Sequence, residues 1–240
     1  MEGYVHSIET FGAVDGPGIR YVIFVTGCNM RCAFCHNPDT WKMKDGELRD
    51  SGDLIKHALR YREYWGEKGG ITVSGGEPLL QPDFVIDIFK KAHAEGVNTC
   101  LDTSGNPYLN SLSEEKMLEV MEVTDLVMLD IKQINEEKHK KLTGFSNDNI
   151  LKLAGRLSDI GKPMWIRHVL VPGIDDNDED LQKTREFIDS LKTVERVEVL
   201  PYHTLGVYKW KELGIPYRLE GVDPPDDETV NHARQILGAV

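Results

Sequence analysis

Three cysteines, Cys28, Cys32 and Cys35, fall within GCNMRCAFCHN, residues 27–37. Thiolates are soft ligands, and gaps of three and two residues let one loop wrap several sulfurs around a single centre. Two occupants suit such a loop. A structural zinc wants a closed set of four ligands. A cubane 4Fe–4S cluster held by three cysteines leaves one iron open to an outside ligand. The fourth cysteine, Cys100, lies far downstream in an apolar segment and reads as core. His36 directly follows Cys35, so its side chain tends to point elsewhere. The polar neighbours NMRC and HNPD argue against three unrelated core cysteines. The spacing favours an iron–sulfur cluster, with a zinc-stabilised binding protein as the rival from another class.

Such a loop needs elements to carry it. Apolar, β-rich runs alternate with amphipathic stretches along the chain. IRYVIFVTG (19–27), GITVSGGE (70–77), VNTCLDTSG (97–105), DLVMLDIK (125–132), KPMWIRHVLVPG (162–173) and VERVEVLPYH (194–203) read as strands. Helices are expected over 53–65, 82–96, 114–121, about 135–159, about 179–192 and 227–240. Alternation of this kind implies right-handed crossovers and a mostly parallel sheet. Six strand–helix units are fewer than the eight of a closed barrel. The expected fold is therefore α/β, a partial (β/α)6 TIM-like open barrel in a single domain over 1–240. The polar and glycine-rich oddities all follow strands: the cysteine loop, Ser74-Gly75-Gly76-Glu77, Asp102-Thr103-Ser104-Gly105, Asp130-Ile131-Lys132 and Pro201-Tyr202-His203. In parallel α/β folds that edge is where active sites are assembled.

Composition bounds the function. The formal net charge is −12, which argues against bulk affinity for nucleic acid or anionic lipid. The polar start MEGYVHSIET lacks a signal pattern, and no apolar run nears the roughly 20 residues of a membrane span. A cytoplasmic protein is expected, and in a reducing compartment a cysteine cluster means metal or redox chemistry.

Cys28-x-x-x-Cys32-x-x-Cys35, with Phe34 between the last two, resembles the signature of the radical S-adenosylmethionine superfamily. The turn Ser74-Gly75-Gly76-Glu77-Pro78 is similar to that family's second signature, and the family's partial barrel agrees with six units. The stretch TFGAVDGPGIRYVIFVTGCNMRCAFCHNPDTW resembles the opening of the glycyl-radical-enzyme activating family. TCLDTSG, TDLVMLDIK, WIRHVLVPG and LPYHTLG resemble the branch whose client is pyruvate formate-lyase, and the likeness runs over nearly the whole chain. Relatives with other clients often insert a cysteine-rich, ferredoxin-like segment after the first motif, which is absent here. Phe34 departs from a frequent tyrosine, and either aromatic can sit beside an adenine.

The resemblance implies that Cys28, Cys32 and Cys35 hold a 4Fe–4S cluster whose fourth iron is chelated by S-adenosylmethionine. Reductive cleavage would yield methionine and a 5′-deoxyadenosyl radical, which takes a Cα hydrogen from one glycine of the client under anaerobic conditions. It implies cofactor contacts from Phe34, Cys35, His36 and Asn37 near the nucleoside, and from Gly76 and Glu77 at the amino group. Asp130, Ile131, Lys132 and His203 would complete them at the carboxylate or ribose. A monovalent cation would be held by Asp102, Thr103, Met128 and Asp130, hard oxygen donors suiting a hard ion. Asp15 and Arg167 would face the protein substrate, pyruvate formate-lyase or another glycyl radical enzyme. Flavodoxin or ferredoxin would supply electrons to a monomer, and no catalytic side chain is expected beyond cluster and cofactor.

In isolation most of these residues have plainer readings. Gly75-Gly76 can be only a tight turn, Asp102 an Asx turn or helix cap, and Asp130 with Lys132 a surface ion pair. His203 alone would be structural, Asp15 a turn residue and Arg167 a barrel-end ion pair. The run DDNDED (175–180) reads as a solvated loop capping the next helix. The joint pattern carries the functional reading.

Overall fold

The structure, a computed structural model, describes residues 1–239. It gathers into two compact units, one of residues Met1–Asn29 and Thr40–Met128, the other of Met30–Asp39 and the chain from Leu129 onward. Eight strands hydrogen-bond in the order β3-β1-β2-β4-β5-β6-β7-β8, an open α/β sheet.

The first unit begins with β1 (Glu2–Gly12) and β2 (Arg20–Val25), then β3 (Glu47–Asp50), α1 (Ser51–Ala58), β4 (Gly70–Gly75), α2 (Pro82–Ala94), β5 (Asn98–Thr103) and α3 (Glu114–Glu122). In β2 the side chains of Tyr21, Val22, Ile23 and Val25 are fully buried. Each such burial stabilises by about 1.5–3 kcal/mol, so an unbroken apolar run belongs inside a two-faced sheet. β2, β4 and β5 pair in parallel. β1 pairs antiparallel with both β2 and β3. Those two strands were not among the six expected, because GYVHSIET and ELRD are too polar to read as buried strands. Asp50 caps α1 by accepting from the Gly52 and Asp53 N–H groups. The helix expected over 53–65 is α1 followed by a 3-10 segment, Leu59–Tyr64.

Arg20 at the start of β2 is fully buried, and its hydrogen-bond acceptors among the described residues are neutral. Its guanidinium donates to Thr72 Oγ1 (2.9 Å), Asn98 Oδ1 (2.7 Å) and the Ile71 carbonyl (2.7 Å). Weaker bonds reach the carbonyls of Pro17 (3.4 Å) and Lys68 (3.3 Å). Thr72 Oγ1 donates onward to the Asp15 carbonyl at 2.7 Å, so the loop after β1 is tied down through its backbone.

β6 (Leu126–Asp130) leads into the second unit, which holds α4 (Glu136–Thr143), α5 (Asp148–Asp159), β7 (Met164–Leu170), α6 (Asp178–Asp189), β8 (Val194–Pro201), α7 (Val207–Glu212) and α8 (Asp227–Leu237). β7 and β8 pair in parallel, and β7 buries alternate residues Met164, Ile166, His168 and Leu170. The helical stretch expected over 135–159 is two helices, because Gly144 takes a left-handed φ of 87° and ends α4. Ile131 and Lys132 lie beyond the end of β6.

The acidic run 175–180 corrects its sequence reading. Asn177 does cap α6, accepting from the Asp180 N–H, yet Asp175 and Asp180 are buried. Asp175 Oδ1 accepts from the Val171 N–H at 2.6 Å, and burial holds its carboxyl well above the usual range. Asp180 accepts from Lys138 Nζ (2.5 Å), Gln133 Nε2 (3.1 Å) and Asn177 Nδ2 (2.9 Å). A dense acidic run gives no sign of which carboxylates turn inward.

Candidate active site

The cysteine loop leaves β2 through Gly27, whose N–H donates to the Thr40 carbonyl at 2.7 Å while Cys28 N–H donates to that of Trp41 at 3.0 Å. Gly27 has φ 92°, open to glycine without strain. The turn after β4 packs on this point. Gly76 N–H donates to the Val25 carbonyl and Glu77 N–H to the Gly27 carbonyl, both at 2.8 Å. A Cβ on Gly76 would stand 2.4 Å from Gly27 O, so the glycine is required by close backbone approach, not by turn geometry alone.

Glu77 is fully buried at the centre of this arrangement. Its carboxylate accepts from Thr103 Oγ1 (2.6 Å), Ser104 N–H (2.9 Å), Ser104 Oγ (2.5 Å) and Leu79 N–H (3.0 Å). Burial pushes its pKa up, and the Ser104 and Thr103 hydrogen bonds oppose that rise. The side chain thus joins the turn after β4 to the turn after β5. Asp102, at the end of β5, accepts from Ser74 Oγ at 2.6 Å. Thr103 Oγ1 donates to Glu77 and accepts from the Gly105 N–H. Met128 is fully buried within β6, and Cys100 is fully buried in β5, as expected of a core thiol.

In the second unit the remaining cysteines sit on a firmly held segment. Arg31 N–H donates to the Thr143 carbonyl and Ala33 N–H to that of Leu142, both at 2.8 Å, while Cys35 N–H turns back to the Cys32 carbonyl at 3.1 Å. None of the four cysteines is in a disulfide. Burial pushes the Cys32 thiol up to about 12, with Lys132 pulling it down. Such a thiol is a ligand only when a metal displaces its proton. Among the described residues no three His, Cys, Asp or Glu side chains form a group that could hold one metal ion. Three cysteines at this spacing suit a cubane, whose sulfurs bind different irons.

Around this segment lie the other expected cofactor residues of the unit. The rings of His36 and His203 stack at 3.9 Å with 14° between planes. His36 Nε2 lies 3.1 Å from the His203 carbonyl, and since a carbonyl only accepts, Nε2 carries the proton. Burial, then His203, lowers the His36 pKa, so the ring is neutral at pH 7. Lys132 is 2.6 Å from Asp130 Oδ2 and sits 5.4 Å over the Phe34 ring. With Lys132 only 9% exposed, this is no surface ion pair. His168, fully buried, donates Nδ1–H to the Ile131 carbonyl at 2.8 Å, and Ile131 N–H donates to the Arg167 carbonyl at 2.9 Å. Arg167 is itself largely buried, its Nε 3.8 Å from Glu198.

Three residues of α7 and its approach went unnoticed in the sequence. Trp210 is 1% exposed and donates Nε1–H to the Cys35 carbonyl at 2.8 Å. Lys209 Nζ reaches Asn37 Oδ1 and Asp39 Oδ2, both at 2.9 Å. Gly206 lies so close that a Cβ would be 2.7 Å from the His36 Cα. Together they clamp residues 35–39 from a segment far along the chain. Trp210→Phe keeps a buried ring but removes the hydrogen bond to the Cys35 carbonyl, a loss of about 0.5–1.5 kcal/mol. The expected outcome is a lower melting temperature, weaker S-adenosylmethionine binding and an altered electron paramagnetic resonance lineshape of the reduced cluster. An unchanged lineshape with equal binding would remove the clamp from any role at the cluster.

Comparisons with known proteins identify the family. The family model described as Radical SAM superfamily matches residues 22–188. A pyruvate formate-lyase-activating enzyme of Streptococcus mutans is 56% identical over 99% of this chain and 91% of its own length. That of Listeria monocytogenes is 54% identical over 98% of this chain and 96% of its own. A crystal structure of a domain of pyruvate-formate lyase-activating enzyme from Bacteroides vulgatus superposes with TM-score 0.58 at 29% identity, covering 71% of this chain and 93% of that one. Streptococcus suis SuiB bound to S-adenosylmethionine shares the fold alone, with TM-score 0.61 at 18% identity over 76% of this chain and 40% of its own.

Proposed function

The chain belongs to the radical SAM superfamily and, within it, to the pyruvate formate-lyase-activating enzymes, and from that premise we propose how its residues divide the work. Its reaction is activation of pyruvate formate-lyase by removal of a glycine Cα hydrogen, with a 4Fe–4S cluster and S-adenosylmethionine as cofactors. The observation that carries this is the three-cysteine loop, with no disulfide among its thiols, on a chain alike over nearly its full length to such enzymes. When bound, the cluster and S-adenosylmethionine supply the radical that takes the hydrogen.

The residues bind and orient. Cys28, Cys32 and Cys35 hold the cluster. From the first unit, Gly76 offers its backbone to the cofactor's amino group, and buried Glu77 keeps that turn in place. From the second unit, Lys132 and Asp130 serve the carboxylate and ribose beside Ile131 and His203, while Phe34, His36 and Asn37 border the nucleoside. The neutral His36 ring, its Nε2–H already committed, presents a flat apolar face with His203 behind it. Asp102, Thr103, Met128 and Asp130 are the residues for a monovalent cation. Asp15 and Arg167 are the residues for contact with the client. The 1–240 chain acts as one radical S-adenosylmethionine domain, as a cytoplasmic monomer that takes electrons from flavodoxin or ferredoxin and binds neither nucleic acid nor membrane. Among the described residues no helix is long and apolar enough to cross a membrane.

The test is anaerobic incubation of the reconstituted protein with pyruvate formate-lyase, S-adenosylmethionine and reductant. A glycyl radical signal on pyruvate formate-lyase is expected. Cofactor cleavage without that signal would sink the client assignment while leaving the radical chemistry standing.

A further inference from the structure

We propose that a groove of about 580 Å³ in the second unit is the docking surface for a small acidic one-electron carrier protein. This rests on the reading that the cysteine loop holds the cluster. The reaction consumes an electron that must arrive from outside at that cluster.

Ala33 forms one wall of the groove, between Cys32 and Cys35 in the chain. Its N–H is bonded to the Leu142 carbonyl at 2.8 Å, so the groove is built directly onto the loop's backbone. Leu142, Ile174 and Leu219 give the groove an apolar lining. Lys138, Lys141 and Arg218 also line it. Lys138 is neutralised by buried Asp180, and Asp176 is the one acid in the lining. Lys141 is exposed and has no carboxylate partner among the described residues. Arg218 donates to the carbonyls of Arg31 (2.8 Å), Leu142 (3.5 Å) and Lys141. Those contacts fix the guanidinium to the cluster loop and to α4 without cancelling its charge.

Sign is what selects the partner. A chain with net charge −12 repels an acidic protein over most of its surface. Two uncompensated cations at the rim of an apolar groove reverse that locally, steering an acidic carrier to the backbone of the cluster loop. In the step itself one electron leaves the reduced carrier and enters the oxidised cluster, and no bond or proton changes hands.

The test uses the reconstituted holoenzyme with S-adenosylmethionine, driven either by reduced flavodoxin or by dithionite. Lys141→Glu should slow flavodoxin-driven cleavage about tenfold at low ionic strength, with the gap closing as salt is added. Its dithionite-driven rate should match the parent protein. Lys152→Glu, the same charge change at a residue that does not line the groove, should leave both rates unchanged. A flavodoxin-driven rate unaffected by Lys141→Glu, or equally reduced by Lys152→Glu, would overturn the docking surface. Failure of the parent protein to cleave with dithionite would instead overturn the cluster reading, and the docking surface with it.

Discussion

Cys32→Ser is expected to yield a folded protein that holds no stable 4Fe–4S cluster and shows only background cleavage of S-adenosylmethionine. Serine is nearly the same size, and its hydroxyl would sit where a buried thiol sat, so the fold survives. What disappears is a soft ligand, and an alkoxide does not replace a thiolate on iron. Losing a mere outer partner of a metal ligand costs roughly 10–100-fold in affinity or activity. Losing one of three direct ligands takes the reaction to background. Iron and sulfide content, visible absorbance and circular dichroism measure the two halves of this expectation separately. A Cys32→Ser protein with full iron content and normal cleavage would exclude Cys32 from the ligand set. The pKa adds a sign. The metal-free Cys32 thiol, pushed up to about 12, is protonated at neutral pH, whereas a cluster would bind it as thiolate. Assembly therefore releases a proton and grows more favourable as pH rises.

Arg20→Met should be the costliest change away from the cysteines. It removes the shared donor of Thr72, Asn98 and Ile71 and leaves their oxygens buried without it. Leaving a single buried acceptor unsatisfied costs about 1–3 kcal/mol, so losing the shared donor of these neutral oxygens costs several kcal/mol. At about 2–4 °C per kcal/mol for a chain of this size, the melting temperature falls by on the order of 10 °C. Urea unfolding should show a lower midpoint with an unchanged slope. Arg20→Lys keeps the charge without the planar fork and should recover only part of the loss. A melting temperature within a degree of the parent for Arg20→Met would show that water replaces the guanidinium at no cost. Because Thr72 also holds the Asp15 backbone, activation of the client should fall further than cofactor cleavage does.

What the amino-acid sequence by itself determined was short-range. The cysteine spacing needs only one loop to be meaningful, and the parallel strands announce themselves because a strand buried on both faces must be apolar throughout. The core place of Cys100 followed from the same local logic, whereas the need for glycine at 76 comes from its close approach to the Gly27 carbonyl. β1 and β3 escaped because partly exposed antiparallel strands are polar enough to resemble loops. The tertiary structure decided which polar groups are inside. Asp175 and Asp180 look like any other members of an acidic run until the end of β7 and Lys138 fold onto them. Lys132 became a buried ion-pair partner over Phe34 only once its neighbours were in place. Trp210 and Lys209 meet Cys35, Asn37 and Asp39 across 170 or more residues of chain. Periodicity and motif spacing reach over one or two turns of chain, whereas a contact at that separation exists only after the whole fold has closed.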